Sequence, residues 1–218
     1  TPLTIIDADA EILQMDLGEN EWLQDIRTQT TRLTDLTSAL ILLARMDEGQ
    51  PQARMIEFPL SDVAAETADT FQALAKTKEK QLDVSIEPMI TMCGDENAIR
   101  QLITILLDNA IKYTPPGSHV QVSARKRGES VEVRIADDGP GISDEAKAKL
   151  FDMFYTANNA RGDGRRGLGL GLSLCRSIVQ AHGGSITVED NYPKGAIFSF
   201  TLPLAEVNTD EQTSNLDH

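Results

Sequence analysis

The stretch Arg161 to Leu174 reads RGDGRRGLGLGLSL, and it decides the fold that this sequence predicts. Glycine alternates with leucine at Gly167, Gly169 and Gly171, so one edge of the backbone lacks Cβ atoms and an anion can approach the amide N–H groups closely. A helix that begins here would add its unpaired N–H groups and the positive end of its dipole. Two neighbouring arginines supply guanidinium groups that pair well with phosphate. The stretch predicts a phosphate-binding loop, although glycine repeats also serve backbone geometry alone.

A second candidate motif lies upstream, on a helix expected over Asp95–Tyr113. Asn109, Lys112 and Tyr113 are three and four residues apart, so they share one face of that helix. An amide oxygen suits a hard divalent cation and an ammonium group suits phosphate. Taken alone, an ordinary solvated helix face is the simpler interpretation. The residues expected to point into the core are Ile99, Leu102, Ile103, Leu106, Leu107 and Ala110.

The third motif is ADDGPGI, which follows the strand expected over Val131–Ile135. An aspartate at a strand end, here Asp137, can accept a hydrogen bond from a ligand amino group. The glycines after it, Gly139 and Gly141, would let the ligand lie flat against the turn. The same residues also make a favourable tight turn with no ligand at all.

Alternation and helical spacing elsewhere predict a mixed sheet that has helices on one face and is more open on the other. Ser61 with Asp62 is expected to cap a helix that runs to about Lys80, and a final helix is expected over about Gly169–His182. The remaining expected strands are Met55–Phe58, Val84–Glu87, Ile90–Cys93, Val120–Ala124, Ile186–Glu189 and Ala196–Leu202.

The N-terminal segment shows two narrow apolar seams of heptad type, separated by a turn at residues 18–20. This pattern predicts an antiparallel helical hairpin, and pairing with a second copy into a four-helix bundle would cover both seams. The alternative is that both helices pack on the neighbouring domain. The seam residues are Leu3, Ile6, Ala10, Leu13, Leu17, Trp22, Ile26, Gln29, Leu33, Leu36, Leu40 and Leu43.

Composition narrows the function classes. The net charge of −14 argues against a nucleic-acid-binding protein, because no basic stripe is available to neutralise phosphates. Cys93 and Cys175 are isolated, which fits a reducing compartment better than a disulfide framework. No apolar run is long enough to span a bilayer. The chain begins with Thr1, so we expect a fragment whose membrane segment, if present, lies upstream.

In chain order, the motifs NAIKYTP, DDGPGI, FDMFY, GLGLGLSL and AHGGSI strongly resemble the ATP-binding domain of sensor histidine kinases. They match the N, G1, F and G2 boxes of the GHKL family, shared with gyrase, mismatch-repair and heat-shock chaperone ATPases. The resemblance implies an α+β fold: an antiparallel helical hairpin, dimerising into a four-helix bundle, followed by a two-layer α/β sandwich with a mixed sheet. The expected domains are a partial dimerisation and phosphotransfer hairpin at 1–47, a linker at 48–54, an ATP-binding catalytic domain at 55–204 and a disordered acidic tail at 205–218.

The resemblance implies ATP and Mg²⁺ as ligands. Asn109 would ligate Mg²⁺ that bridges the phosphates, with Lys112 near them and Tyr113 close to the ribose or base. Asp137 would hold the adenine amino group. The full set of implied nucleotide-binding residues is Asn109, Lys112, Tyr113, Asp137, Gly139, Gly141, Arg161, Arg165, Arg166, Gly167, Leu168, Gly169, Leu170, Gly171 and Leu172.

The same resemblance assigns roles around the glycine stretch. Its amides would face the triphosphate, and its arginines would stabilise the transferring phosphoryl group. Phe151 and Phe154 would hinge a lid, although two aromatic residues three apart also suit core anchors. His182, before a pair of glycines, is interpreted as a helix-end histidine rather than a catalyst.

The implied function is the cytoplasmic catalytic portion of a membrane-anchored bacterial sensor kinase. It would pass the γ-phosphoryl group to a histidine, and from there to an aspartate of a response-regulator receiver domain, as a homodimer joined through the hairpin. The family's acceptor histidine is expected just before Thr1, and the only histidines here, His119, His182 and His218, lie elsewhere. We therefore expect this fragment to bind ATP without phosphorylating itself. Thr1 is a candidate for a phosphatase role, or equally a helix cap.

Ile105 lies one turn before Asn109, where many histidine kinases carry a second asparagine and the hydrolytic relatives a glutamate that activates water. Isoleucine does neither, so slow ATP hydrolysis is expected. Two alternatives stay open: an ATPase switch of the same fold, and a dimerisation or docking module with a vestigial nucleotide site.

Overall fold

The computed structural model describes residues 2–18, 20–47, 55–156 and 169–204. These residues fall into two compact units, one within Thr1–Gln52 and Ser143–Arg176 and the other within Ala53–Ile142 and Ser177–His218. The predicted linker at 48–54 and the predicted tail at 205–218 lie outside the described residues, as does Thr1.

The first unit contains the predicted helical hairpin. Helix α1 spans Pro2–Leu17 and α2 spans Glu21–Asp47. Gly18, with φ of 74°, follows α1, and Asn20 precedes α2. The Asn20 side-chain oxygen accepts a hydrogen bond from the Trp22 N–H at 2.9 Å, which satisfies one of the unpaired donors at the start of α2. The predicted pair of helices and the position of their turn are confirmed.

The described side chains buried in the hairpin are small or isolated: Ala10, Leu23 and Thr30. Several predicted seam residues are exposed within this chain, and Trp22 is 77% exposed although its neighbour Leu23 is buried. Of the predicted seam residues, Ala10 is buried within the single hairpin, whereas Trp22 and Leu33 are exposed there; coverage of the seams by a second copy stays a prediction.

A polar clasp joins α1 to α2. The Arg27 guanidinium group lies 3.3 Å from an Asp7 carboxylate oxygen and donates to the Gln14 side-chain oxygen at 3.2 Å. Asp7 and Gln14 are seven residues apart, so they lie on one face of α1. The pairs are partly exposed, so they add little to stability and mainly fix which faces of the helices meet.

The remaining described part of the first unit contains the short helix α5 at Asp144–Lys147 and the start of α6, which spans Gly171–Ala181. Ser143 caps α5 by accepting a hydrogen bond from the Ala146 N–H at 3.3 Å. The rest of α6, from Ser177 onward, belongs to the second unit.

The second unit is built on a five-stranded mixed sheet with the strand order β2-β4-β5-β7-β6. Strand β2 pairs with β4 in parallel, and every other neighbouring pair is antiparallel. A separate two-stranded sheet pairs β1 with β3. The strands are β1 Ile56–Pro59, β2 Gln81–Ile86, β3 Thr91–Gly94, β4 His119–Arg127, β5 Ser130–Asp137, β6 Ser185–Asp190 and β7 Ala196–Pro203.

Two long helices cover one face of this sheet. Helix α3 spans Leu60–Thr77 and packs against α4 and β2, while α4 spans Glu96–Tyr113 and packs against β5. Asp95 caps α4 by accepting a hydrogen bond from the Ala98 N–H at 3.0 Å. All six core residues predicted for α4 are buried. The predicted α+β class and the sandwich with a mixed sheet are confirmed.

The predicted cap of α3 is wrong. Pro59 is the N-cap residue and makes no side-chain cap hydrogen bond. Ser61 lies inside the helix and is buried, where its hydroxyl donates to the Glu87 carbonyl at 2.7 Å and accepts from the Ile90 N–H at 2.9 Å. The hydroxyl thus pairs with the turn between β2 and β3, a long-range partner that outweighs its local capping preference.

Alternation along the central strands separates the two faces of the sheet. Every second residue of β5 is buried, from Val131 to Asp137, and the intervening residues are partly exposed. The face away from α3 and α4 carries polar side chains such as Gln121, Arg125 and Arg134. Among the described residues, no helix is both long enough and apolar enough to span a membrane.

Candidate functional site

Helix α4 carries the first group of predicted site residues near its end. The Asn109 side chain is half-buried, and within the described part of the chain no residue hydrogen-bonds to it, so its amide oxygen is available to a ligand. The Lys112 ammonium group lies 5.2 Å from the centroid of the Tyr113 ring, a cation–π geometry. Tyr113 is 50% exposed, and Lys112 is also exposed. The helix therefore presents an amide oxygen and a cation close together.

Strand β5 ends at Asp137, whose side chain is only 8% exposed. Its Oδ1 atom accepts hydrogen bonds from the Gly139 N–H at 2.9 Å and the Ala196 N–H at 3.4 Å. Among the described residues no donor pairs with Oδ2, and this atom keeps some access to solvent. Asp137 is therefore a fixed, nearly buried carboxylate with one oxygen left to accept a ligand hydrogen bond.

Burial raises the pKa of the Asp137 carboxyl group above its ordinary value, because the low-dielectric surroundings disfavour the charged form. The hydrogen bonds from Gly139 and Ala196 and the positive charge of Lys80 act in the opposite direction, while the neighbouring Asp138 adds to the rise. A carboxylate in such surroundings gains from any donor that reaches its free oxygen.

The turn after Asp137 needs its glycines. A Cβ atom at Gly139 would lie 2.8 Å from Asp137 Oδ1 and 2.9 Å from Thr114 Cγ2. Gly141 has φ of 78°, in the left-handed region that favours glycine, and a Cβ there would lie 3.3 Å from the Gly195 carbonyl oxygen. Glycine is therefore favoured at Gly141 by the backbone conformation and at Gly139 by the close approach of the Asp137 and Thr114 side chains, and both glycines keep the surroundings of the carboxylate free of further side chains.

The turn between β6 and β7 supports Asp137 and was missed by sequence reasoning. The Asn191 side-chain amide donates to the Asp137 carbonyl oxygen at 2.8 Å. Gly195, with φ of 114°, passes so close to the same carbonyl that a Cβ atom would overlap it. The only sequence signal for this role is a glycine between a turn and a strand, which is too common to identify a site.

The end of α4 meets the Asp137 turn through Thr114, which is buried against Gly139. Lys80, from the loop before β2, donates hydrogen bonds to carbonyl groups at the same helix end. Neither Thr114 nor Lys80 was singled out by the sequence. The second unit thus brings the Asn109 helix and the Asp137 turn together.

The glycine stretch is described only from Gly169 onward. Arg161, Arg165, Arg166, Gly167 and Leu168 lie outside the described residues, so their predicted roles stay predictions. The Gly169 carbonyl accepts a hydrogen bond from the Phe154 N–H at 3.0 Å. Leu170 is buried, and α6 begins at Gly171 with Leu172 in its first turn, which confirms a helix directly after the glycine stretch.

Gly169 has a second reason to be glycine. Its φ is 70°, and a Cβ atom would lie 2.5 Å from the Tyr155 carbonyl oxygen and 2.7 Å from the Phe154 carbonyl carbon. Phe154 has φ of 63° and a side chain that is 61% exposed, so it is not a core anchor. Phe151 is half-buried. The predicted hinge role of this aromatic pair stays a prediction.

His182 follows the end of α6 and is buried. Its Nδ1 atom lies 2.8 Å from the Ile178 carbonyl oxygen, and its Nε2 atom accepts a hydrogen bond from the Asp95 N–H at 3.0 Å. The Nδ1–H donates in this arrangement, so the ring is neutral and both nitrogens are used. The interpretation of His182 as a helix-end histidine is confirmed.

Within the described residues, no group of three or more histidine, cysteine or acidic side chains is arranged to hold a metal ion by itself. A Mg²⁺ ion commonly takes few ligands from the protein and the rest from phosphates and water. Asn109, whose amide oxygen has no hydrogen-bond partner among the described residues, is suited to contribute such a ligand.

Comparisons with known proteins agree with this arrangement. Residues 94–206, just over half of the chain, match the family described as histidine kinase-, DNA gyrase B-, and HSP90-like ATPases. The chain is 32% identical over 209 residues to the signal transduction histidine-protein kinase BaeS of Escherichia coli (strain K12), an alignment that covers 94% of this chain and 44% of BaeS. The chain thus spans less than half the length of this relative.

Two solved structures are similar in fold. The nucleotide-free catalytic domain of the histidine kinase ThkA is 28% identical, with a TM-score of 0.61, and the match covers 69% of this chain and 95% of that domain. Full-length ShkA, in complex with AMPPNP, is 25% identical with a TM-score of 0.72, and the match covers 94% of this chain and 43% of ShkA. With the α4 asparagine, the Asp137 turn and the helix after the glycine stretch, these matches show that the chain belongs to the histidine kinase-, DNA gyrase B- and HSP90-like ATPases and, within them, to the sensor histidine kinases.

Proposed function

We propose that this chain is the catalytic portion of a sensor histidine kinase that binds Mg²⁺–ATP and transfers the γ-phosphoryl group to a histidine. The observation that carries the proposal is the free oxygen of Asp137, held nearly buried beside glycines and next to the end of the helix that bears Asn109. A related structure, ShkA, contains the ATP analogue AMPPNP, which supports an adenine nucleotide as the ligand.

Each residue has a distinct part in binding. Asp137 Oδ2 accepts a hydrogen bond from the adenine amino group, and the bare glycine turn leaves room for the flat base. Asn109 would hold Mg²⁺, which supplies charge neutralisation for the phosphates. Lys112, exposed on the same helix, adds positive charge on the phosphate side. The glycine stretch is proposed from its sequence motif to cradle the triphosphate.

The reaction needs positioning and charge stabilisation more than covalent chemistry from this domain. An imidazole nitrogen attacks the γ-phosphorus, a P–N bond forms, and the bond to the bridging oxygen of the β-phosphate breaks as ADP leaves. Of the three histidines, His119 and His182 are part of the catalytic domain, where His182 uses both ring nitrogens in packing, and His218 lies in the predicted tail, so none belongs to the helical hairpin. The acceptor is therefore proposed to be a histidine that lies outside this 218-residue chain, with onward transfer to an aspartate of a receiver domain.

Calorimetric titration of the chain with ATP and Mg²⁺ tests the nucleotide site. We expect saturable binding of ATP and weaker binding of GTP, because guanine places a carbonyl oxygen where adenine has its amino group and so meets the Asp137 carboxylate unfavourably. Radiolabelled ATP should leave no acid-labile phosphate on the chain. Equal affinity for ATP and GTP would contradict the assignment of Asp137 to the base.

The ATPase-switch alternative predicts steady release of phosphate. Ile105 is the residue one helical turn before Asn109, and its side chain cannot activate water. We expect ATP turnover that is slow against that of hydrolytic relatives in a phosphate-release assay. Fast turnover would favour the switch.

The hairpin is proposed to join two copies into a four-helix bundle. Large apolar side chains are exposed along both helices, more than a stable isolated hairpin would leave in water. Changing Trp22 to aspartate should convert a dimer into a monomer in sedimentation velocity, while Met89→Asp, at a 90% exposed position outside the hairpin, should not. The exposed apolar residues are Ile5, Ile6, Ile12, Leu13, Met15, Trp22, Ile26 and Leu33.

A further inference from the structure

Lys80 lies between α3 and β2, and its ammonium group donates hydrogen bonds to two carbonyl groups at the end of α4. The acceptors are the Ile111 carbonyl oxygen and the Thr114 carbonyl oxygen, the latter at 2.6 Å. A third carbonyl, of Ala110, accepts the Thr114 hydroxyl at 2.7 Å. Carbonyl groups in the last turn lack helical partners and carry the negative end of the helix dipole, so a cation is favourable here. Lys80 thus caps the C-terminal end of α4, the helix that carries the residues proposed to bind Mg²⁺ and the phosphates.

The backbone conformation around Lys80 directs its side chain toward the end of α4. Glu79 has φ of 56°, a left-handed conformation that is unfavourable for a residue with a Cβ atom. The Lys80 N–H donates to the Ala75 carbonyl at 2.9 Å, and the Gly117 N–H donates to the Glu79 carbonyl at 2.7 Å. These bonds form a Schellman-type end to α3 and tie the loop after α3 to the loop after α4.

From the end of α4, the contacts continue to the proposed base-binding residue. Thr114 is buried, and its Cγ2 atom lies where it would be 2.9 Å from a Cβ atom at Gly139. The Gly139 N–H in turn donates to Asp137 Oδ1 at 2.9 Å. A shift of the helix end would move Thr114 and so disturb the turn that fixes the carboxylate.

Lys80 and Asp137 also act on each other through their charges. The positive charge of Lys80 lowers the pKa of Asp137, against the larger effect of burial and against Asp138, both of which raise it. Burial and the neighbouring Lys78 lower the pKa of Lys80, and Asp137 raises it. Among the described residues, Asp138 and Lys78 are thus the other charged groups that act on this pair.

We propose that Lys80 is a positioning residue for nucleotide recognition: its hydrogen bonds to the Ile111 and Thr114 carbonyl groups hold the end of α4 against the turn that fixes the Asp137 carboxylate. This inference rests on the proposed nucleotide site. Lys80 touches the helix end and not the nucleotide, so its role differs from that of Lys112.

The test compares Lys80→Met, Lys80→Arg and the matched control Lys76→Met, which removes an equal charge from an exposed position in the last turn of α3. Two quantities are measured from below the ordinary carboxyl pKa of 3.8 up to neutral pH: the affinity for Mg²⁺–ATP by calorimetry, and the carboxyl titration of Asp137 by carbon NMR in the free protein. Methionine keeps most of the aliphatic stem but removes the donors and the charge. Arginine keeps the charge, so it also serves if the methionine variant fails to fold.

For Lys80→Met we expect affinity about tenfold weaker at pH 7.5, roughly the contribution of the one charge-assisted hydrogen bond between Asp137 and adenine that a displaced turn would no longer position. The loss of affinity on acidification and the Asp137 titration should both move to higher pH, because the positive charge of Lys80 lowers the pKa of Asp137. Lys80→Arg and Lys76→Met should titrate like the unchanged protein.

The proposal would be overturned if, in Lys80→Met, neither the Asp137 titration nor the pH at which ATP affinity is lost on acidification changes. A lower melting temperature alone would not support the proposal, because a merely structural role of Lys80 predicts lower stability without a change in these pH profiles. Absence of ATP binding by the unchanged protein would instead refute the proposed function. The carbon NMR titration of the free protein would still report whether Lys80 acts on Asp137.

Discussion

Replacing Asp137 with asparagine should weaken nucleotide binding without destabilising the folded protein. Asparagine has the same shape, and its amide oxygen can keep the hydrogen bonds now accepted by Oδ1 from Gly139 and Ala196, at 2.9 Å and 3.4 Å. The free Oδ2, however, becomes an NH₂ group. A donor then faces the adenine amino group, which is also a donor.

The expected loss of binding follows from this exchange. A hydrogen bond to a charged acceptor contributes about 1.5–3 kcal/mol, and leaving the ligand amino group unpaired in a nearly buried site removes all of it. We expect the affinity for Mg²⁺–ATP to fall by roughly 10- to 150-fold at neutral pH.

The stability of the free protein should move in the opposite direction. Because the pKa of Asp137 is raised in the folded state above the ordinary value of 3.8, its stabilising contribution is complete only below that value and is lost as pH rises through the folded-state pKa. The asparagine variant has no such loss. We therefore expect it to be at least as stable as the unchanged protein at neutral pH, with an advantage that grows as pH rises from about 4.

Calorimetry with ATP and urea unfolding at several pH values measure both effects. Asp138→Asn is the matched control, because it removes the same charge one residue away while its oxygen can still accept the His119 N–H bond now formed at 2.9 Å. Affinity of Asp137→Asn within about twofold of the unchanged protein would refute the assignment of Asp137 to the base. A stability advantage that shrinks with rising pH would refute the sign of the pKa argument.

Two further substitutions test the surroundings of the site. His182→Ala should lower the free energy of unfolding, measured with urea, by about 2–4 kcal/mol, because the Asp95 N–H and the Ile178 carbonyl lose a buried hydrogen-bond partner. The ATP affinity of the folded protein should stay unchanged. A change in affinity without a loss of stability would contradict the packing role of His182. Gly139→Ala places a Cβ atom 2.8 Å from Asp137 Oδ1, so we expect both a lower melting temperature, equivalent to about 1–3 kcal/mol, and weaker ATP binding, and an unchanged melting temperature would show that the turn can relax.

The sequence predicted those parts of the fold that local patterns control. Helix α4 begins after Asp95, and its apolar spacing gives the buried face, because capping and periodicity act within a few residues. The alternation that defines β5 likewise places Asp137 at the end of a strand. Its place at a strand end beside glycines followed from the same local signals, whereas its assignment to the adenine amino group came from the resemblance to the family and stays a prediction.

What the sequence could not supply are partners that only the folded chain brings together. Asn191 lies 54 positions from Asp137, and Lys80 lies 34 positions from Thr114. No local preference links such residues. The prediction for Ser61 failed for the same reason. Serine is a favourable capping residue, but Ser61 hydrogen-bonds instead with a turn that is distant in the sequence.

The contacts that Asn191 and Gly195 make with the Asp137 carbonyl have a consequence for synthesis of the chain on the ribosome and for its truncation. All the residues proposed to touch the base precede Ser185, yet the turn that clamps them belongs to the last hairpin of the domain, β6 with β7. A nascent chain that has emerged only as far as α6 would carry the N, G1, F and G2 motifs but would still lack the turn that holds the proposed adenine-binding residues in place. Competence to recognise ATP should therefore arise late on the ribosome, and trimming this C-terminal hairpin should abolish it while sparing the motifs themselves.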